Sequence, residues 1–255
     1  MILRRDAPSF LLALQFLTRL RMPFEVEFST TAQAASPRWY ALVGVVVGII
    51  AGLVFWAGSA LFPPVVAVLL AVAAQLVVTG ALHEDGFADA CDGLGGVRSR
   101  ERVLEIMRDS RIGTYGVLGL GMMLAARVAV LAALPPHAVP FVLIAGHAAS
   151  RASMLWVMAS STYVRGQGAA TGVSERLDQR AVVTNLVAAG LAVLPLLLIL
   201  PMMAVLLGVA GLVGGHFVMR QRFEDRLGGY TGDCLGAVQQ CSEIGFYLGI
   251  LAWLA

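Results

Sequence analysis

The 255-residue sequence contains no lysine, few charges of either sign and only three cysteines. Charged residues make up 13% of it, about half the ~25% usual for soluble domains. That is too few to cover a globular surface in water, and with 58% hydrophobic residues the composition assigns the chain to the membrane class. A formal net charge of +2 excludes a broad basic surface for nucleic acid. Cys91, Cys234 and Cys241 form no Cys-x-x-Cys pair and no even framework, so they read as reduced thiols or small packing residues. All eighteen basic residues are Arg. This reflects either composition bias or phosphate recognition by a bidentate guanidinium.

Apolar runs are abundant. A crossing needs about 20 mostly apolar residues, and the candidates are 40–62, 64–82, 115–134, 138–159, 182–200, 202–219 and 233–254. Pro201 divides a run too long for one crossing, because proline breaks the backbone ladder and disfavours helix in the residue before it. Arg4-Arg5 followed by Ser9 to Leu17 imitates a signal peptide, but Gln15 interrupts the apolar core and Arg19 and Arg21 follow at once. A retained amphipathic or re-entrant helix is the better reading. The expectation is an all-α, polytopic integral membrane protein of about seven transmembrane helices plus that N-terminal helix, a single domain over 1–255. The connections at Pro63, 135–137 and Pro201 hold no Arg, whereas the N-terminal segment and connections 83–114, 160–181 and 220–232 hold sixteen of the eighteen. The positive-inside rule then makes the Arg-rich side cytoplasmic. Arg127 and Arg151 fall within spans, as does His147 one turn before Arg151. Ionisable groups there mark a site or a partner, although Arg127 could instead snorkel toward the outer face.

The most informative stretch is His83-Glu84-Asp85-Gly86-Phe87-Ala88-Asp89-Ala90-Cys91-Asp92-Gly93. Asp85, Asp89 and Asp92 are spaced i, i+4, i+7, within an arc of roughly 60° on one helical face. Three carboxylates so close repel one another unless a cation sits among them, and hard oxygen donors suit Mg²⁺ or Mn²⁺. No Lys or Arg occurs between Gly80 and Val97, which argues against an ordinary ion-paired surface helix. In a regular helix His83 points away from the aspartates. Arg108, Asp109, Ser110 and Arg111 precede a Gly-rich entry into the third span, and Thr231 and Asp233 lie at the start of the last. Helix N-termini offer free N–H groups to anions, and Thr231 or Asp233 would equally serve as a cap. Metal ligands, guanidinium groups and two helix N-termini on one membrane face suit phosphoryl transfer, or pyrophosphate binding without chemistry.

The stretch 83–93 resembles the His-x-Asp-Gly-x-x-Asp-x-x-Asp-Gly signature of the cobalamin synthase family, the adenosylcobinamide-GDP ribazoletransferases. Met107 to Gly116, Gly229 to Ala237, Leu12 to Arg19 and the His147, Ser150-Arg151 pattern are similar to further segments of that family, in the same order along nearly the whole chain. Gln240 stands where some members carry Glu, while Glu243 remains. The resemblance implies a Mg²⁺-dependent bacterial inner-membrane enzyme with its site facing the cytoplasm. Its substrates would be adenosylcobinamide-GDP and α-ribazole or its 5′-phosphate, and a homo-oligomer is left open. Asp85, Asp89 and Asp92 would hold metal and, with His83, form the catalytic set. Arg108, Asp109, Ser110, Arg111, Arg151, Thr231 and Asp233 would bind substrate. A CDP-alcohol phosphotransferase fits less well, because Asp89 stands where its pattern requires Ala-Arg. A transporter fits less well too, because the acids lie in connections and no paired halves are seen.

Overall fold

The computed structural model describes residues 2–22, 28–96, 99–165 and 179–255, with backbone only for residues 2–5. Eleven α-helices run through the described residues: α1 Ile2–Leu17, α2 Thr30–Ala35, α3 Tyr40–Ser59, α4 Pro64–Thr79, α5 Leu82–Leu94, α6 Arg100–Ile106, α7 Thr114–Ala133, α8 Val139–Ser160, α9 Gln179–Val193, α10 Met202–Leu227 and α11 Gly232–Leu254. Prolines set several of the starts. Pro64 occupies the first turn of α4, where a missing N–H costs nothing, and Pro201 immediately precedes α10.

All seven segments expected to cross the bilayer are helical. Among the described residues five helical segments are long and apolar enough to cross a bilayer: α3 with the turns before it (Thr30–Ser59), α7, α8, α9 with the 3-10 turn that carries it to Leu198, and α10; a sixth is added if α4 and α5 count as one broken span. By itself α4 has 16 residues, about 24 Å of helix against a hydrocarbon core of ~30 Å. The last helix, α11, has 23 residues but buries Gln239, Gln240, Ser242 and Glu243, and these keep it out of the apolar set. The N-terminal α1, also 16 residues, is too short to span.

Small residues let the helices approach closely, which is how helices associate where lipid removes the hydrophobic drive. A Cβ on Gly44 would lie 2.2 Å from the His147 carbonyl oxygen, and one on Gly48 2.5 Å from Ile144 Cα, so α3 and α8 meet backbone to backbone. Gly211 and Gly215 of α10 meet Gly245 and Cys241 of α11 in the same way. The Arg-rich connections gather at one end of the bundle: Arg38 pairs with Asp6 at 3.0 Å, Arg220 donates to the Ser160 hydroxyl at 2.9 Å, and Thr162–Val164 pairs with Tyr230.

Candidate active site

The polar helix α5 exists because the chain breaks at Gly80 and Ala81. Both adopt left-handed backbone, with φ of 63° and 57°, and α5 leaves α4 at 90°. For Ala81 this conformation costs roughly 1–2 kcal/mol. Arg19 fastens the break: its N–H donates to the Val78 carbonyl at 2.7 Å, and its side chain lies over Gly80, where a Cβ would be 2.0 Å from Nε. Beyond the bend, the face that the Asp spacing defines meets three environments. Asp85 is exposed, Asp89 half-buried and Asp92 buried.

Asp92 reaches the start of α7. Its carboxylate accepts from the N–H of Gly113 at 2.6 Å and of Gly116 at 2.9 Å, two of the free donors that a helix N-terminus presents. Glycine is needed at both positions, since a Cβ would fall 2.5 Å and 2.3 Å from the Asp92 oxygens. On another side, Gly86 lets α5 press against α11, with a Cβ there only 2.9 Å from Asp233 Cα. The Gly residues of the 83–93 motif and of the 113–116 entry therefore serve approach between helices.

A short parallel pairing builds the other wall. Gly228, at φ 65°, ends α10. The Tyr230 N–H then donates to the Thr162 carbonyl at 2.8 Å, and the Val164 N–H to the Tyr230 carbonyl at 3.0 Å. This brings Arg165 to the start of α11, where its Nη2 donates to Asp233 Oδ2 at 2.6 Å and to the Met107 carbonyl at 2.9 Å. Thr231 is fully buried and caps α11, accepting from the Cys234 N–H at 3.3 Å. A cleft of about 210 Å³ opens between these elements, with His83, Asp85, Arg165 and Asp233 on its polar side. Burial, reinforced by the charges of Asp233 and Asp85, pushes the Asp89 carboxyl up to about 7.

Beneath the cleft lies a buried polar network. Arg127 is 0% exposed, which overturns the snorkelling alternative. It pairs with Glu84 at 3.3 Å and Glu243 at 3.5 Å and donates to Gln240. Gln240 in turn donates to Glu84 at 3.0 Å. Glu243 meets His147 Nδ1 at 2.8 Å and accepts from Gln239 at 2.6 Å. Arg151 donates to the His147 carbonyl at 3.1 Å. Gln240 thus has a defined place, linking α11 to α5.

His83, Asp85 and Asp233 share the cleft, with Asp89 beside them electrostatically, while Asp92 is turned to α7. His83 enters the cleft from the first turn of α5, directly after the 90° break at Gly80–Ala81. Arg108 and Ser110 are exposed on the neighbouring loop, and Arg111 closes on Asp109 at 2.6 Å, lowering that carboxyl to about 2. Asp109 and Arg111 line a second recess that also reaches Asp92. Arg151 is sealed below, at 1% exposure. Sequence reasoning missed Arg165, an isolated arginine outside every motif, and Glu84, whose only signal was its place inside the 83–93 stretch. Among the described residues no three or more His, Cys, Asp or Glu side chains converge tightly enough to hold a metal ion by themselves. Mg²⁺, however, typically takes one or two carboxylates and completes its shell with water and substrate phosphate. Asp85, Asp89 and Asp233, hard oxygen donors with one guanidinium among them, fit that use.

The family model described as cobalamin-5-phosphate synthase matches residues 9–251. A relative from Ralstonia pickettii (strain 12J), named adenosylcobinamide-GDP ribazoletransferase, is 38% identical over 246 residues, covering 95% of this chain and 94% of its own. One of the same name from Shewanella amazonensis (strain ATCC BAA-1098 / SB2B) is 38% identical over 253 residues, covering 97% and 96%. A third, from Vibrio parahaemolyticus serotype O3:K6 (strain RIMD 2210633), is 37% identical over 255 residues, covering 98% and 94%. No solved structure matches.

Proposed function

Since the chain belongs to the cobalamin-5-phosphate synthase family, we propose that it transfers the cobinamide phosphate of adenosylcobinamide-GDP to α-ribazole or its 5′-phosphate. The products are adenosylcobalamin or its 5′-phosphate, and GMP. A ribose hydroxyl oxygen forms a bond to the phosphorus nearest cobinamide, and the bond from that phosphorus to the bridging oxygen breaks. GMP leaves with the electron pair, and the hydroxyl proton passes to a cleft side chain. The observation that carries this reading is the joining, in one cleft, of His83, Asp85 and Asp233 with Arg165.

Asp85 and Asp89 or His83 are within the group that accepts the proton. Asp85, Asp89 and Asp233 would hold Mg²⁺, which supplies charge neutralisation at the transferring phosphate. Arg165 exchanges part of its bond to Asp233 for a phosphate oxygen, the planar fork that suits this recognition. Asp92 keeps α5 and α7 in register, and Arg108 and Arg111, on the loop before α7, would hold phosphate oxygens. Thr231 sets the start of α11 and with it Asp233, and Arg151 holds the floor through His147. The Arg-rich end of the bundle faces the cytoplasm by the positive-inside rule, in a bacterial inner membrane.

The test uses purified protein in detergent with adenosylcobinamide-GDP, α-ribazole and Mg²⁺, following GMP release. EDTA abolishes release, and a CDP-alcohol donor yields no CMP. Absence of GMP release from folded protein refutes the assignment.

A further inference from the structure

The cleft has a second wall that phosphate chemistry does not use. Opposite the charged side it is lined by Phe16 and Leu17 of α1, Tyr40, Leu82, and Met154 and Met158 of α8. Phe16 is 45% exposed, and its ring lies within 20° of parallel to that of Tyr40, with centroids 6.2 Å apart. A large aromatic ring left open in a cleft next to carboxylates is a poor neighbour for phosphate but a good platform for a flat heterocycle. Methionine beside it adds a polarizable, adaptable surface.

We propose that this wall is the subsite for the aromatic base of α-ribazole, with Phe16 as its stacking residue. The proposal rests on the activity assigned above and adds which part of which substrate lies where. The chemistry selects the base. Guanine presents donors and an acceptor along its edge and needs several polar partners, whereas the side chains that face Phe16 within this cleft are mostly apolar, with the Tyr40 and Tyr163 hydroxyls as the exceptions. A cleft of about 210 Å³ is too small for a corrin macrocycle. Dimethylbenzimidazole, joined to ribose, has no N–H donor and a methylated apolar edge, so burial against Phe16, Leu82 and the methionines leaves no donor unpaired. One sugar ring separates that base from the attacking hydroxyl, which then falls on the side of His83, Asp85 and Asp233.

Stacking of a base on an aromatic side chain contributes enough to change affinity by about tenfold. In Phe16→Ala the KM for α-ribazole rises about tenfold while the KM for adenosylcobinamide-GDP holds. Phe16→Leu, which keeps area but not the flat face, falls between. Free 5,6-dimethylbenzimidazole, followed by equilibrium dialysis, binds the wild-type protein and loses that binding in Phe16→Ala. An unchanged KM for α-ribazole, or a rise confined to the GDP donor, overturns the subsite. The dialysis separates this proposal from the activity assignment: with no GMP release at all, base binding that depends on Phe16 still supports the subsite, and its absence sinks it.

Discussion

Asp89 carries negative charge into a corner already occupied by Asp85 and Asp233, and its carboxyl is raised to about 7 by burial and by those two neighbours. A raised acid is neutral below that value and ionised above it. As pH climbs through 7, Asp89 therefore gains the charge that a divalent cation requires. The Mg²⁺ concentration for half-maximal GMP release should fall as pH rises from 6 to 8 and then level off, which Mg²⁺ titrations at each pH would read. Asp89→Asn should lose on the order of 10²-fold in kcat, and normal turnover by that variant rules out the role. Arg165 is the counterweight. Its 2.6 Å bond to Asp233 joins side chains only 15% and 18% exposed. Arg165→Met should cost about 10²–10³-fold in rate, with Arg165→Lys recovering only part because one ammonium cannot reproduce the fork.

At the scale of elements, what holds the site is the way α5 is pinned at both ends. Asp92 caps α7 at one end, and the left-handed Gly80–Ala81 break, covered by Arg19, fixes the other. Asp92→Ala should destabilise the protein by about 0.5–2 kcal/mol, seen as a lower melting midpoint in detergent. Ala81→Gly removes the strain of left-handed backbone and should raise that midpoint by roughly 1 kcal/mol equivalent, unless the added freedom of the unfolded chain offsets it. A lowered midpoint in Ala81→Gly argues that the φ of 57° is not strained. The helical face shared by Asp85, Asp89 and Asp92 was legible in their spacing alone, because period is a local property. Which of the three would be buried was not, since that depends on α7 arriving with glycines at 113 and 116. Arg165 was illegible for a similar reason: only the pairing of 162–164 with Tyr230, segments far apart in sequence, carries it to Asp233.

For the molecule as a whole, the membrane class followed from scarce charge, and every apolar run became a helix. The least legible part was the interior, where α5, α7, α8 and α11 bring together two arginines, two glutamates and their amide and histidine partners. Residue by residue, Arg127, His147 and Arg151 looked like costly intrusions into apolar spans, and nothing in the sequence named Glu84 as a partner. Together Arg127 and Arg151 balance Glu84 and Glu243 in formal charge, and this explains why so polar a helix as α11 can occupy the centre of the bundle. A buried pair of this kind adds little net stability, but breaking it strands a charge. Arg127→Met should therefore cost about 3–5 kcal/mol, because Glu84 and Glu243 lose the guanidinium 3.3 Å and 3.5 Å away. Adding Glu84→Gln removes one stranded charge, so the double variant should be more stable than Arg127→Met alone, and thermal unfolding in detergent measures the difference. If the second change lowers stability further by its full independent amount, the two side chains are uncoupled. The network would then contribute packing volume, and its charges would not act as a unit.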